Sequence, residues 1–131
     1  MIANRSMPPG VIIPELPYDD IIAAADWLCE TFGFQKRLRI GNHRFQLTLG
    51  GSSIVVIERK EAGASSVLVH VEDLDHHFEH TQKSGARIIS PPTDFPFGER
   101  QYTVEDIGGH RWTFSQSIAD VDPNDWGGEL F

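Results

Sequence analysis

Basic residues, cysteine and long apolar runs are all scarce in this chain. Its 131 residues carry 11 Lys and Arg against 19 Asp and Glu, a formal net charge of −8. That balance argues against nucleic acid or an anionic membrane surface as a partner and leaves a neutral or cationic small molecule. The single cysteine, Cys29, rules out an intramolecular disulfide and suits a reducing cytoplasm. No apolar run approaches the ~20 residues needed to span a bilayer. The opening MIANRSMPPG lacks the apolar core of a secretory signal. A P-loop, a dinucleotide-binding glycine fingerprint, a nucleophile elbow and a basic aromatic patch are all missing.

What is present is an ordinary globular composition, 40% apolar and 23% charged, and a length that suits one domain over 1–131. VIIPELPY (11–18) has strand character, with prolines that suit an edge. DDIIAAADWLCETFG (19–33) predicts a helix capped by Asp19 or Asp20 and ended by Gly33, with Ile21, Ala25, Leu28, Cys29 and Phe32 on one stripe. Cys29 on that stripe is a small core residue. Strands follow at 34–40, 43–50 and 52–59, separated by the turn signals Gly41-Asn42 and Gly50-Gly51. A linker at 60–65 leads to a strand at 66–72, a helix from Asp73 to near Gly85, a strand at 87–90, a Pro-rich loop at 91–99, and a hairpin of 100–106 and 110–116.

The element order strand, helix, strand, strand, strand thus occurs twice, in modules 11–59 and 66–116, which is what a duplicated unit looks like. The remainder, 117–131, is an acidic tail with Asp120, Asp122, Asp125 and Glu129, no Lys or Arg, and an anchoring Trp126 after the helix-start signal Asp122-Pro123.

The stretches PYDDIIAAADWLCETFGF (17–34), VHVEDLDHHFEHTQKSGARI (69–88) and FGERQYTVEDIGGHRWTFSQ (97–116) resemble the vicinal oxygen chelate superfamily of glyoxalase I, extradiol dioxygenases and bleomycin-resistance proteins. The resemblance implies an α+β fold in which two tandem βαβββ modules form a curved half-barrel sheet with a cleft, and a homodimer. It also implies four metal-ligand positions, which fall at Ile13, Val55, Ser66 and Thr113, with Glu58 replacing Val55 on an alternative alignment. Aliphatic groups cannot ligate a metal, and neutral hydroxyls are poor ligands beside imidazole or carboxylate. The expectation is therefore no metal and no cofactor, as in the bleomycin-resistance branch. That points to a cytoplasmic protein that binds or sequesters an organic molecule. The alternative is a metal-dependent lyase, isomerase or dioxygenase with altered ligands.

Strand alternation assigns faces. Val67, Val69 and Val71 point toward the helices, as do Trp112, Phe114, Leu16 and Tyr18. Ile13, Glu15, Pro17, Ser66, Leu68, His70, Arg111, Thr113 and Ser115 point toward the cleft. A slip of one residue would put Trp112 and Phe114 in the cleft instead. On the first assignment the candidate ligand contacts are Glu15, His70, Arg111 and Thr113, able to hydrogen-bond a ligand or move a proton, with Glu58 added by the alternative alignment. Resemblance to the loops that rim such clefts adds Phe97 and Arg100, beside Phe95; the same rings equally suit a core-closing role. His76 and His80, spaced i, i+4, have the geometry of a helical zinc pair but lie off the buried stripe. Asp106 and His110 flank Ile107-Gly108-Gly109 as turn-forming residues.

Overall fold

A strand, a helix and three further strands build each half of the chain in this computed structural model, which describes residues 3–59 and 63–131. The chain divides into two units, the first ending at Ser65 and the second running Ser66–Phe131. The first contains β1 (Glu15–Tyr18), α1 (Ile21–Phe32), β2 (Gln35–Ile40), β3 (Arg44–Leu49) and β4 (Ser52–Glu58). The second contains β5 (Ser66–His70), α2 (Leu74–Lys83), β6 (Arg87–Phe95), β7 (Glu99–Glu105) and β8 (Arg111–Ser117), then a 3-10 turn at Pro123–Trp126. The sheet orders are β1-β4-β3-β2 and β5-β8-β7-β6. β1–β4 and β5–β8 pair in parallel and the rest antiparallel. This is an α+β fold of two tandem βαβββ modules. Among the described residues no helix is long and apolar enough to cross a membrane.

The helices form where capping and periodicity coincide. Asp20 caps α1 by accepting from the Ile22 and Ala23 amides at 3.0 and 3.1 Å. Ile21, Ala24, Ala25, Leu28 and Phe32 are buried at helical spacing. Gly33 then takes φ 83°, and its amide donates to the Cys29 carbonyl. Cys29 is half-buried, and burial is the main reason its thiol is pushed up. Asp73 caps α2 through the His76 amide, and Gln116 of β8 accepts from the Leu74 amide at 2.8 Å, tying the helix start to the sheet.

Strand parity follows the first of the two assignments. Trp112 and Phe114 are wholly buried with Tyr102 and Val104, and Leu16 and Tyr18 are buried in the first unit. The largest departures from the expected strand boundaries are in β1 and β6, and β5 ends at His70 rather than residue 72. β1 begins at Glu15, not at residue 11; Pro14 has no amide to donate and enters only as an acceptor, from the Val55 amide at 2.9 Å. The loop expected at 91–99 is largely strand, since β6 runs through Pro91 and Pro92 to Phe95. It can do so because it is an edge strand, and its ladder shifts register between Ile88 and Ser90 and between Ser90 and Thr93. The linker expected at 60–65 falls partly outside the described residues.

The β7–β8 turn is organised by one buried carboxylate. Asp106 Oδ1 accepts from the Gly108 and His110 amides, both at 2.9 Å, and Oδ2 accepts from Trp112 Nε1 at 2.9 Å. Its own amide donates to the His110 carbonyl at 2.8 Å. His110 is buried at the end of this turn, in the turn-forming position the sequence gives it.

Candidate functional site

β5, β8 and β7 lie side by side, so alternate residues of the three strands share the face turned away from α2. The cross-strand rows are Ser66, Arg111 and Glu105, then Leu68, Thr113 and Thr103, then His70, Ser115 and Gln101, with Glu99 opposite Ser117. Several of these polar residues are bonded to one another. Gln101 Nε2 donates to Ser115 Oγ at 3.0 Å, and Ser115 Oγ donates to Glu99 Oε1 at 2.7 Å. Thr103 and Thr113 share a hydroxyl hydrogen bond of 3.0 Å. Leu68 stands beside them, 67% exposed.

Glu99 is the carboxylate of this network. The Ser117 hydroxyl, then that of Ser115, hold it below the usual carboxylate range, with a smaller contribution from the His70 imidazole, against a burial effect of opposite sign. No Lys or Arg forms an ion pair with it among the described residues. The face therefore offers neutral donors and acceptors, the Glu99 and Glu105 carboxylates, the Arg111 guanidinium and one apolar foothold. That set can orient an organic ligand.

His70, Arg111 and Thr113 all lie on this face, as their parity predicts. Glu15 and Glu58 belong to the first unit. Glu15 pairs with Arg44. Glu58, at the end of β4, lines a depression of about 410 Å³ with Asp19, Asp20, Ile21, Ile22 and Asn42. Phe97 sits at the β6–β7 turn, its ring 5.3 Å from both Phe95 and Trp126. Arg100 has the opposite parity to Glu99 and is committed on the α2 side, with Nε and Nη2 on Asp94 at 2.6 and 3.2 Å and Nη1 on Asp75 at 3.2 Å. Glu99, Gln101 and Thr103 were missed by the sequence analysis, although Gln101, Thr103 and Glu105 alternate visibly with Tyr102 and Val104.

The four positions that the resemblance implies for metal ligands, Ile13, Val55, Ser66 and Thr113, carry neither imidazole nor carboxylate. Thr113 is engaged with Thr103, Ser66 is exposed at a strand start, and Val55 and Ile13 have no donor atom. Among the described residues no group of three or more His, Cys, Asp or Glu is placed to hold a metal. His76 and His80 are exposed on α2. Their neighbour His77 turns inward instead, its Nδ1 2.5 Å from the Tyr102 hydroxyl, which donates to Thr81 Oγ1 at 2.9 Å. Burial, then repulsion from His80 and His76, lowers the His77 pKa to about 4.

Residues 11–114 match the sequence profile of the Glyoxalase/Bleomycin resistance protein/Dioxygenase superfamily, and the chain belongs to that superfamily. Among solved structures, TioX from Micromonospora sp. ML1 is 37% identical, with a TM-score of 0.74 over 82% of this chain and 98% of that one. TnmS3 of Streptomyces sp. CB03234, described as an antibiotic binding protein, shares the fold at 22% identity and a TM-score of 0.70, over 80% of this chain and 93% of that one. The uncharacterised protein Rv0887c of Mycobacterium tuberculosis (strain ATCC 25618 / H37Rv) is 25% identical over 130 residues, covering 82% of this chain and 75% of that protein.

Proposed function

We propose that the protein binds, and by binding sequesters, a small organic molecule on the face of its second sheet turned away from α2, without a metal. The observation that carries this is the bonded network Gln101–Ser115–Glu99 beside the Thr103–Thr113 pair and exposed Leu68. Preorganised polar groups around an apolar foothold give orientation and specificity, with little left to reorganise on binding. Glu99 favours a ligand with a cationic group, in keeping with the net charge of −8. The description of TnmS3 as antibiotic-binding supports an antibiotic-type ligand. A homodimer and a cytoplasmic location complete the proposal, the latter suited by the single cysteine.

The test is calorimetric titration of the full chain with a panel of antibiotics, bleomycin included, with metal content measured on the same sample. The expected result is a Kd of micromolar or tighter for at least one cationic member. Glu99→Gln should weaken it about tenfold, the effect of losing one charge-assisted bond. No binding tighter than millimolar refutes the proposal. Stoichiometric metal, with turnover lost in Glu58→Gln or His70→Ala, replaces it with a metal-dependent lyase, isomerase or dioxygenase. Sedimentation equilibrium decides the dimer.

A further inference from the structure

Lys36, Arg37, Arg39 and Arg44, four of the chain's 11 Lys and Arg, cluster at the β2–β3 hairpin of a protein whose net charge is −8. The register of that hairpin decides where they point. Lys36 stands opposite Leu47 and Arg39 opposite Phe45, with a shift between Lys36 and Leu38 that leaves Arg37 as an extra residue. Leu47 and Phe45 alternate with Gln46 and share one side of the sheet, so the bulge brings Lys36 and Arg39 to that same side. It is the α1 side: Lys36 Nζ is ion-paired with Asp26 of α1 and lies 5.9 Å from the centre of the Phe45 ring. Arg37 turns the other way, where Nη1 donates to Gln46 Oε1 at 2.5 Å and Nη2 to the Arg5 carbonyl at 2.8 Å.

β2 is the outer strand of its sheet, and beside it lies a depression of about 400 Å³ walled by Ile22 and Asp26 of α1, Lys36 and Arg39 of β2, and Phe45 of β3. The charges there do not cancel. Asp26 is matched by Lys36, and that hydrogen bond is the main reason the Lys36 pKa is raised. Arg39 is exposed and forms no ion pair among the described residues. Glu30, a turn further along α1, does not line the depression. What remains is one guanidinium beside an apolar wall of Ile22 and Phe45.

We propose that this depression, on the helix side of the first sheet, binds a small monoanion with an apolar body: a carboxylate carried on an aromatic or branched aliphatic group. The guanidinium fork of Arg39 matches a carboxylate through two parallel hydrogen bonds. Lys36, held between Asp26 and the Phe45 ring, adds a second positive neighbour already fixed in place. The apolar body removes water from Ile22 and Phe45, which is the favourable part of binding that a bare anion lacks. The concavity is of the size that small-molecule sites have. This site lies in a different unit from the polar face of β5, β8 and β7 and takes a ligand of opposite charge, so neither reading depends on the other.

The test is a titration of the full, nitrogen-15-labelled chain with 2-naphthaleneacetate, followed by amide chemical shifts. The expected Kd is about 1 mM or tighter, what about fourteen non-hydrogen atoms reach at the efficiency of drug-sized ligands. The amides that move should be those of Ile22, Asp26, Lys36, Arg39 and Phe45. Arg39→Gln should weaken binding about tenfold, and the neutral analogue 2-naphthaleneethanol should bind the unsubstituted chain about tenfold more weakly. Arg39 is exposed, so the variant should keep the native spectrum elsewhere. Inorganic phosphate alone should move the same amides only at concentrations about tenfold higher. No shift at these amides up to about 10 mM acid overturns the proposal. Equal binding of the alcohol, or an unchanged Kd in Arg39→Gln, overturns it by removing the anion from the recognition. Phosphate binding as tightly as the acid overturns it by removing the apolar body.

Discussion

Replacing Asp106 tests whether one carboxylate organises the β7–β8 turn. In Asp106→Asn the side-chain oxygen can still accept from the Gly108 and His110 amides, but the new NH₂ group then faces Trp112 Nε1, which donates to Oδ2 at 2.9 Å in the native turn. Trp112 is wholly buried, so two donors meet away from water, at a cost of about 1–3 kcal/mol. Asp106→Ala removes all three accepted bonds and should cost about 3–5 kcal/mol. With a urea m-value of about 2 kcal/mol/M, the midpoint should fall by about 1 M for Asn and about 2 M for Ala. Far-UV circular dichroism is the readout, because the decisive control changes a tryptophan. In a Trp112→Phe background the Asn substitution no longer opposes two donors. The double-mutant cycle should therefore show a coupling of at least ~1 kcal/mol. A coupling below ~0.5 kcal/mol, or an Asp106→Ala midpoint within ~0.5 M of the native one, would refute the reasoning.

Acid should loosen the second unit through His77. Its folded pKa of about 4 lies below the ordinary 6.5, so the unfolded chain takes up the proton first. Stability is complete above pH ~6.5 and declines as the pH falls through this window; the half-buried ring trims the loss to about 1–2 kcal/mol by pH 4. Urea titrations at pH 7 and pH 4.5 check this, and His77→Phe should flatten the difference. Gly98→Ala should destabilise by about 2 kcal/mol or more in a thermal melt, because an added Cβ would stand 2.4 Å from the Ala119 carbonyl oxygen at a φ of 86°.

What was legible in the sequence was whatever two-residue or helical periodicity writes locally. The alternation of Val67 and Val69 with Ser66, Leu68 and His70 fixed the faces of β5, and Trp112 and Phe114 did the same for β8. The cap residues Asp20 and Asp73 were visible as helix openers. Pro91 and Pro92 hid the rest of β6, because a proline reads as a break unless the strand is known to be an edge. Reading 91–99 as loop in turn concealed Glu99, the first residue of β7. His77 carried a signal that was passed over: it stands three residues after buried Leu74 and four before buried Thr81. The bonds from Gln46 and Ser53 to the Ser6 and Pro9 carbonyls were invisible, since they join residues 40 and 44 positions apart through carbonyls that every residue has.

The two consecutive prolines of β6 also restrict assembly. An outermost strand offers its unused main-chain groups to any neighbouring chain that can zip alongside. Where Pro91 and Pro92 stand, that row has no hydrogens to give, and the two register shifts bend what remains away from a straight template. Growth of the sheet past β6 into a neighbouring strand is blunted at that edge.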